Sequence, residues 1–285
     1  MNLFEKEIAG RTVNPIGIGT WGMGGARFSD RELFADYDHD EREIAAIRYS
    51  LDKGQDHIDT AELYGVGHTE EIVGEAIKPY PRDTFFLASK VWEWHALRTA
   101  VPRAVEGMLS RLGTDYLDLF YVHFPWEAVP MEEYMGGAND VIDSGMAKHL
   151  AVSNFNLEQL KKAVSLSKHP IAAVQVHYSI LERTVATPEY LAFCRENGMA
   201  VIAYRPLERK ELADRNKSRE LSRIAAKYDR PIHHIALNWL LCQDGVMPIP
   251  KASSPEHIDS NLASLEFRLE DEDIAILDKM AKAVT

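Results

Sequence analysis

The amino-acid sequence predicts a single α/β domain, a (β/α)8 barrel whose bottom is closed by an N-terminal β-hairpin. Short β-branched or aromatic runs alternate with longer stretches of helical apolar spacing, and eight strand candidates fall within about 250 residues, as a closed parallel barrel requires. Phe85-Phe86-Leu87-Ala88 and Val201-Ile202-Ala203-Tyr204 are apolar throughout, as strands covered on both faces must be. No Ser-, Pro- or Gly-rich linker divides the 285 residues, so one domain over 1–285 is expected. An open doubly wound sheet is the alternative; a barrel differs by gathering function at the C-terminal ends of its strands.

Taken in order, residues 3–13 read as two short extended arms about an Ala9-Gly10 turn, the hairpin. Strand candidates follow at 16–20, 56–60, 84–90, 116–123, 149–153, 173–177, 199–205 and 246–250. Helix candidates lie between them near 40–53, 69–78, 98–111, 131–144, 157–167, 188–197 and 218–242, the last broken at Pro231. Ile44, Ile47 and Leu51 give the first helix one apolar face. Thr187-Pro188 puts a capping hydroxyl before a proline suited to the first helical position, and Asn156 to Gln159 has the form of a capping box.

Composition narrows the function classes. With 32 Lys+Arg against 44 Asp+Glu the net charge is −12, and no basic run exists to displace phosphate counterions, so no nucleic-acid partner is expected. No stretch of about 18 apolar residues occurs, and Met1 to Glu5 lacks the basic start and apolar body of a signal peptide; a soluble cytoplasmic protein without a membrane partner is expected. Cys194 and Cys242 are the only cysteines and read as small buried apolar residues rather than a disulfide framework. The histidines other than His123 have no metal-ligand spacing, and His233-His234, adjacent on a helix, would point in different directions; no metal is expected.

The strand ends carry the chemistry: Thr20-Trp21, Asp59-Thr60, Lys90, His123, Ser153-Asn154, Gln175 with His177, Tyr204-Arg205 and Lys251. Charged groups placed directly after apolar strands face the barrel mouth, where they must pair. Tyr64 lies five residues beyond Asp59, and Gly65 and Gly67 allow a loop that folds the phenol over the mouth. Free phenol has a pKa of about 10. An ammonium such as Lys90 would lower it, with Asp59 holding the ammonium in place and His123 hydrogen-bonding the phenol or a substrate oxygen. The plainer alternative is a buried ion network of rim residues.

The run Asp59-Thr60-Ala61-Glu62-Leu63-Tyr64-Gly65, then Ser89-Lys90, Val122-His123, Ser153-Asn154-Phe155, Gln175 before His177-Tyr178, Ala203-Tyr204-Arg205-Pro206-Leu207, and Ile249 to Asn261, resembles the aldo-keto reductase family collinearly over nearly the whole chain. The resemblance implies a (β/α)8 barrel that reduces aldehydes and ketones with NAD(P)H, with a catalytic tetrad falling on Asp59, Tyr64, Lys90 and His123. Tyr64 would protonate the carbonyl oxygen and Lys90 would stay an ammonium. It further implies that Ser153, Asn154 and Gln175 hold the nicotinamide carboxamide and that Tyr204 stacks on the ring, beside a cofactor path through Thr20, Trp21, Arg205, Pro206 and Leu207.

For the adenosine end, Lys251, the hydroxyls of Ser253 and Ser254, and a helix opening at Pro255 form a local anion site. By family correspondence Lys251 and Ser253 grip a 2′-phosphate and Asn261 contacts adenine. His257 stands where an Arg is usual, and Ser260 where an acid often contacts adenine. A neutral imidazole offers one donor and no permanent charge, which weakens the NADP preference; NADP(H) remains the expected cofactor, with NAD(H) compatible. Arg205 replaces a Ser beside the pyrophosphate and is expected to reach the pyrophosphate or the 2′-phosphate.

Gly17-Ile18-Gly19-Thr20-Trp21-Gly22 matches a dinucleotide fingerprint, but no helical periodicity follows before about residue 40, so it reads as a strand end and a loop. Trp21, Trp92 and Trp126, each just past a strand, are either an aromatic wall for a small carbonyl substrate or ordinary loop packing. The chain ends soon after its last helix, and the Glu208–Ser218 segment is short and charged, so an open pocket for small polar or sugar-like carbonyls is expected. A regulatory subunit that keeps the fold and the cofactor, and a barrel isomerase or aldolase using a Lys90 imine, are the competing functions. Oligomeric state is not readable from the sequence.

Overall fold

The computed structural model describes residues 3–25, 35–208, 212 and 219–280. Among these residues β1 (Lys6–Ile8) and β2 (Arg11–Val13) pair as an antiparallel hairpin. A parallel sheet follows in chain order: β3 (Ile18–Gly19), β4 (His57–Asp59), β5 (Phe86–Val91), β6 (Leu117–Val122), β7 (Ala147–Ser153), β8 (Ile171–His177), β9 (Ala200–Tyr204) and β10 (Val246–Pro248). The backbone N–H groups of Gly17 and Gly19 donate to the carbonyls of Pro248 and Pro250 at 3.0 and 3.3 Å, joining the first strand to the last and closing the barrel. That seam needs glycine, because a Cβ on Gly19 would collide with the Ile249 carbonyl oxygen. All eight expected strands are present, with β3, β4, β5, β6, β9 and β10 shorter than their sequence runs and β7 and β8 longer.

Ten α-helices among the described residues surround the barrel: α1 (Asp40–Asp52), α2 (His68–Ile77), α3 (Ala100–Leu112), α4 (Met131–Asp143), α5 (Leu157–Leu166), α6 (Pro188–Glu196), α7 (Arg219–Tyr228), α8 (Ile232–Cys242), α9 (Pro255–Leu262) and α10 (Asp271–Leu277). The break at Pro231 separates α7 from α8. Asn156 and Gln159 form the expected capping box on α5, and the Thr187 side chain caps α6 ahead of Pro188. Cys194 and Cys242 are free thiols; Cys194 is buried as expected, but Cys242 is only half-buried. No helix among the described residues is long and apolar enough to cross a membrane. The stretch 209–218, residue 212 apart, and the residues beyond 280 lie outside the described residues, as do the expectations placed on them.

Strand parity builds the interior. Phe86 and Ala88 of β5, Leu119 and Tyr121 of β6, Ala151 of β7, Ala173 of β8, Ile202 of β9 and Met247 of β10 pack together inside the barrel, while their neighbours Leu87, Phe120, Val152, Val174 and Val201 pack outward against the helices. Ile8 and Val13 of the hairpin join the inner group, so the hairpin closes the end at which the strands begin. Arg11 pairs there with Asp118 at 3.7 Å. Ala9 and Gly10 both have positive φ, 50° and 77°, the geometry of a two-residue hairpin turn.

Candidate active site

The same parity sets the mouth. Lys90 is two residues on from Ala88, His123 from Tyr121, Ser153 from Ala151, Gln175 from Ala173 and Tyr204 from Ile202, so these five stand one layer above the apolar filling, and Asp59 stands likewise two residues on from His57, which packs against Phe86. Lys90 is fully buried. Its ammonium donates to Asp59 Oδ1 at 2.6 Å and to the Thr60 carbonyl at 2.7 Å. Asp59 Oδ2 accepts from Gln175 Nε2 at 2.7 Å, which ties β4, β5 and β8 into one polar layer.

Tyr64 opens a tight turn in which Gly65, Val66 and Gly67 all have positive φ. At Gly65 glycine is obligatory, since a Cβ would collide with the Gly24 carbonyl oxygen. The turn lays the phenol against Trp21, with ring centres 4.9 Å apart, and 5.8 Å from the His123 ring. The Lys90 ammonium lies 5.2 Å from the centre of the Tyr64 ring.

The electrostatics correct one expectation. Burial, followed by the charge of Asp59 and by Tyr204, holds the Tyr64 phenol well above its ordinary value. The Lys90 ammonium, neutralised by direct contact with Asp59, does not offset the phenol's loss of water. Burial lowers Lys90 as well, opposed by the charge and hydrogen bond of Asp59. Burial, reinforced by the Lys90 charge, pushes His123 well below the usual histidine value, so its ring is neutral at pH 7. His123 Nδ1 has no hydrogen-bond partner among the described residues.

These side chains floor a cavity of about 670 Å³. Thr20, Trp21, Asp59, Tyr64, His123, Ser153, Asn154, Gln175, Tyr204, Arg205, Pro206, Leu207 and Lys251 line it; Lys90 sits beneath. Thr20 donates through Oγ1 to the Asp59 carbonyl at 2.9 Å. The Tyr204 hydroxyl donates to Asn154 Oδ1 at 2.8 Å, and Asn154 Nδ2 donates to the His123 carbonyl and to Ser153 Oγ, each at 3.0 Å. Asn154 and Arg205 both have positive φ, 65° and 50°, local strain that the packing of the mouth sustains.

Ser253, His257 and Asn261 stand outside this cavity. Lys251 reaches Ser253 Oγ at 3.0 Å, and Ser254 caps the N-terminus of α9, behind Pro255. His233 and His234, expected to point apart, both bring Nε2 to Ser260 Oγ, at 2.7 and 3.0 Å, because the two rings of α8 straddle one hydroxyl of α9. Of the three tryptophans, Trp21 lines the cavity, Trp92 packs beside it with Leu63 and Tyr64, and Trp126 rests on the outer core. Among the described residues no three His, Cys, Asp or Glu side chains are grouped to hold a metal ion.

Sequence reasoning missed Gly19, Leu63, Phe124, Glu208, Ile249 and Pro250, which also line the cavity. Leu63 and Phe124 adjoin Tyr64 and His123 and were within reach of a neighbour rule. Glu208 follows Arg205-Pro206-Leu207 and reads only as the start of a charged loop.

The barrel and its mouth have close counterparts. Methylglyoxal reductase YeaE of Escherichia coli is 33% identical over 267 residues, covering 93% of this chain and 89% of that protein. The crystal structure of the thermostable aldo-keto reductase Tm1743 with the inhibitor epalrestat superposes with a TM-score of 0.91 at 38% identity, over 98% of this chain and 100% of that one. An aldo-keto reductase from Klebsiella pneumoniae in complex with NADPH superposes with a TM-score of 0.85 at 33% identity, over 98% and 95% of the two chains. With the aldo/keto reductase family model matching residues 15–282 as well, this chain belongs to the aldo/keto reductase family.

Proposed function

We propose that the protein reduces small aldehydes and ketones with NADPH and that Tyr64 gives the carbonyl oxygen its proton. One observation carries the reading: Asp59, Tyr64, Lys90 and His123, drawn from separate segments of the chain, meet at the floor of a cavity of about 670 Å³, within the usual range for a cofactor and a small substrate.

The donor set fits a nicotinamide. Ser153 Oγ accepts from Asn154 and keeps its own proton to donate, while Gln175 gives Nε2 to Asp59 and turns Oε1 to acceptor duty. Those two would meet the carbonyl and the amine of a carboxamide. One face of Tyr204 is covered by His177, stacked at 5.4 Å, leaving the other for a planar ring. Arg205 and Lys251 put positive charge on the cavity wall, and α9 beside it offers a capped helix N-terminus for a phosphate. The relative solved with NADPH supports this cofactor for the present chain. NADPH, when bound, supplies the hydride.

The protein's part is proton management and polarisation. A phenol held above its ordinary value is protonated at neutral pH and can donate. As the carbonyl oxygen becomes negative, Tyr64 releases its proton, and the phenolate left behind is stabilised by the Lys90 charge. The Lys90 ammonium thus eases release of a proton that burial otherwise holds on the phenol. The neutral His123 ring offers one N–H to the same oxygen. Two of the Lys90 protons are engaged by Asp59 and Thr60, an arrangement that argues against a Lys90 imine. Trp21, Leu63 and Phe124 make the walls apolar and keep water from the reacting oxygen.

The test is a titration with NADPH and NADH, followed by turnover on a panel of small carbonyls that includes methylglyoxal, the compound for which the E. coli relative is named. NADPH oxidation coupled to carbonyl loss is expected. Tight dinucleotide binding without turnover on any carbonyl would instead support the regulatory-subunit reading.

A further inference from the structure

We propose that Glu208 is a positioning residue for the dinucleotide, acting through His177 and Tyr204; the inference rests on the cofactor-binding reading above. Glu208 lines the cavity, and its side chain is 9% exposed. Its Oε1 lies 2.6 Å from His177 Nε2 and accepts from Ser179 Oγ at 2.7 Å. Burial disfavours its charge, but the hydrogen bonds from His177 and Ser179 outweigh this and hold the carboxyl below the usual range. An ionised carboxylate only accepts, so His177 Nε2 carries the proton of this bond and the imidazole is locked in one orientation.

That orientation has a purpose. The His177 ring lies nearly parallel to Tyr204, 17° apart with centres 5.4 Å apart, and covers one face of Tyr204 without itself lining the cavity. The Tyr204 hydroxyl bonds to Asn154, which bonds to the His123 carbonyl and to Ser153. One contiguous chain of contacts thus runs from Glu208 to the group that polarises the substrate. Glu208 also holds the backbone: its N–H closes a turn onto the Arg205 carbonyl at 3.2 Å, and φ is positive at both Arg205 and Glu208. A non-glycine residue at φ 45° persists only where its surroundings over-determine it, and here the side-chain clasp to His177 and Ser179 does so. The same clasp fixes the loop after β8, since Ser179 Oγ also accepts from the N–H groups of Leu181 and Glu182.

The experiment uses the full chain and compares Glu208→Ala, Glu208→Gln and the parent by dinucleotide titration and by single-turnover NADPH oxidation at saturating cofactor. Loss of a charge-assisted bond that orders a stacking ring should raise the Kd for NADPH about tenfold in Glu208→Ala and slow hydride transfer, with the carbonyl KM little changed. Glu208→Gln, which keeps an oxygen for both donors, should stay within about threefold of the parent. His177→Phe keeps a flat ring behind Tyr204 but cannot be clasped, and serves if Glu208→Ala does not fold; it should show the same split between Kd and KM. A folded Glu208→Ala protein with parent Kd and parent hydride-transfer rate overturns the proposal. A parent protein that binds neither dinucleotide overturns the cofactor reading itself, which is a separate result.

Discussion

The Lys90 ammonium lies 2.6 Å from Asp59 Oδ1 with both groups shut off from solvent, so the pair is a structural element as well as part of the proposed catalytic group. Breaking a buried pair by removing one partner strands the other charge, at a cost of about 3–5 kcal/mol. Lys90→Met is therefore expected to lose carbonyl reduction and also to lower the urea midpoint substantially, whereas the double variant Lys90→Met with Asp59→Asn, which leaves no stranded carboxylate, should recover part of the stability and none of the activity. Equal stability of the two variants would contradict a buried, directly compensated pair.

Gly19 sits at the closing seam, with the Ile249 carbonyl oxygen where its Cβ would be. The obstruction is backbone rather than a movable side chain, so Gly19→Ala must spread the join between the first and last strands. A loss of about 1–3 kcal/mol or more is expected in denaturant unfolding, and Gly22→Ala, where nothing stands within 4 Å but φ is +90°, should cost less. A Gly19→Ala protein as stable as the parent would mean that the barrel does not close there.

Acid should expose His234. Burial, then the charges of His233 and Arg230, push its pKa down to about 4. The unfolded chain takes up that proton near pH 6.5, so the contribution is complete above about 6.5 and drains away as pH falls toward 4. In His234→Gln the fall of Tm between about pH 6.5 and 4 should be shallower than in the parent. Curves that run parallel would show that His234 does not titrate as its burial dictates.

Much of the fold was legible because a barrel writes itself plainly: strands covered on both sides are runs such as Phe86 to Ala88, and period-2 parity sends Lys90 inward with Phe86 and Ala88. The four candidate residues stood out for the same reason, Asp59, Lys90 and His123 at strand ends and Tyr64 just ahead of a glycine turn. Depth was not. From sequence, a nearby lysine should acidify Tyr64; only the structure shows how completely the phenol is buried and how directly Asp59 answers the ammonium. Buried carboxylates were equally hidden. Glu70 is fully buried, accepting from Ser89 Oγ at 2.5 Å and pairing with Arg111 at 2.7 Å. Glu43 likewise accepts from the Gly24 N–H at 2.8 Å. Glu208 escaped notice because a lone acid after Arg205-Pro206-Leu207 shows its partners, His177 and Ser179, only once β8 and β9 lie side by side.

The most direct measurement is the single-turnover rate of NADPH oxidation by a small aldehyde in Tyr64→Phe, which removes one oxygen and keeps the ring against Trp21. Removal of a positioned general acid should slow the step by about 10²–10⁴-fold while the NADPH Kd stays close to that of the parent. A Tyr64→Phe protein that transfers hydride at the parent rate would contradict the assignment of the proton to Tyr64.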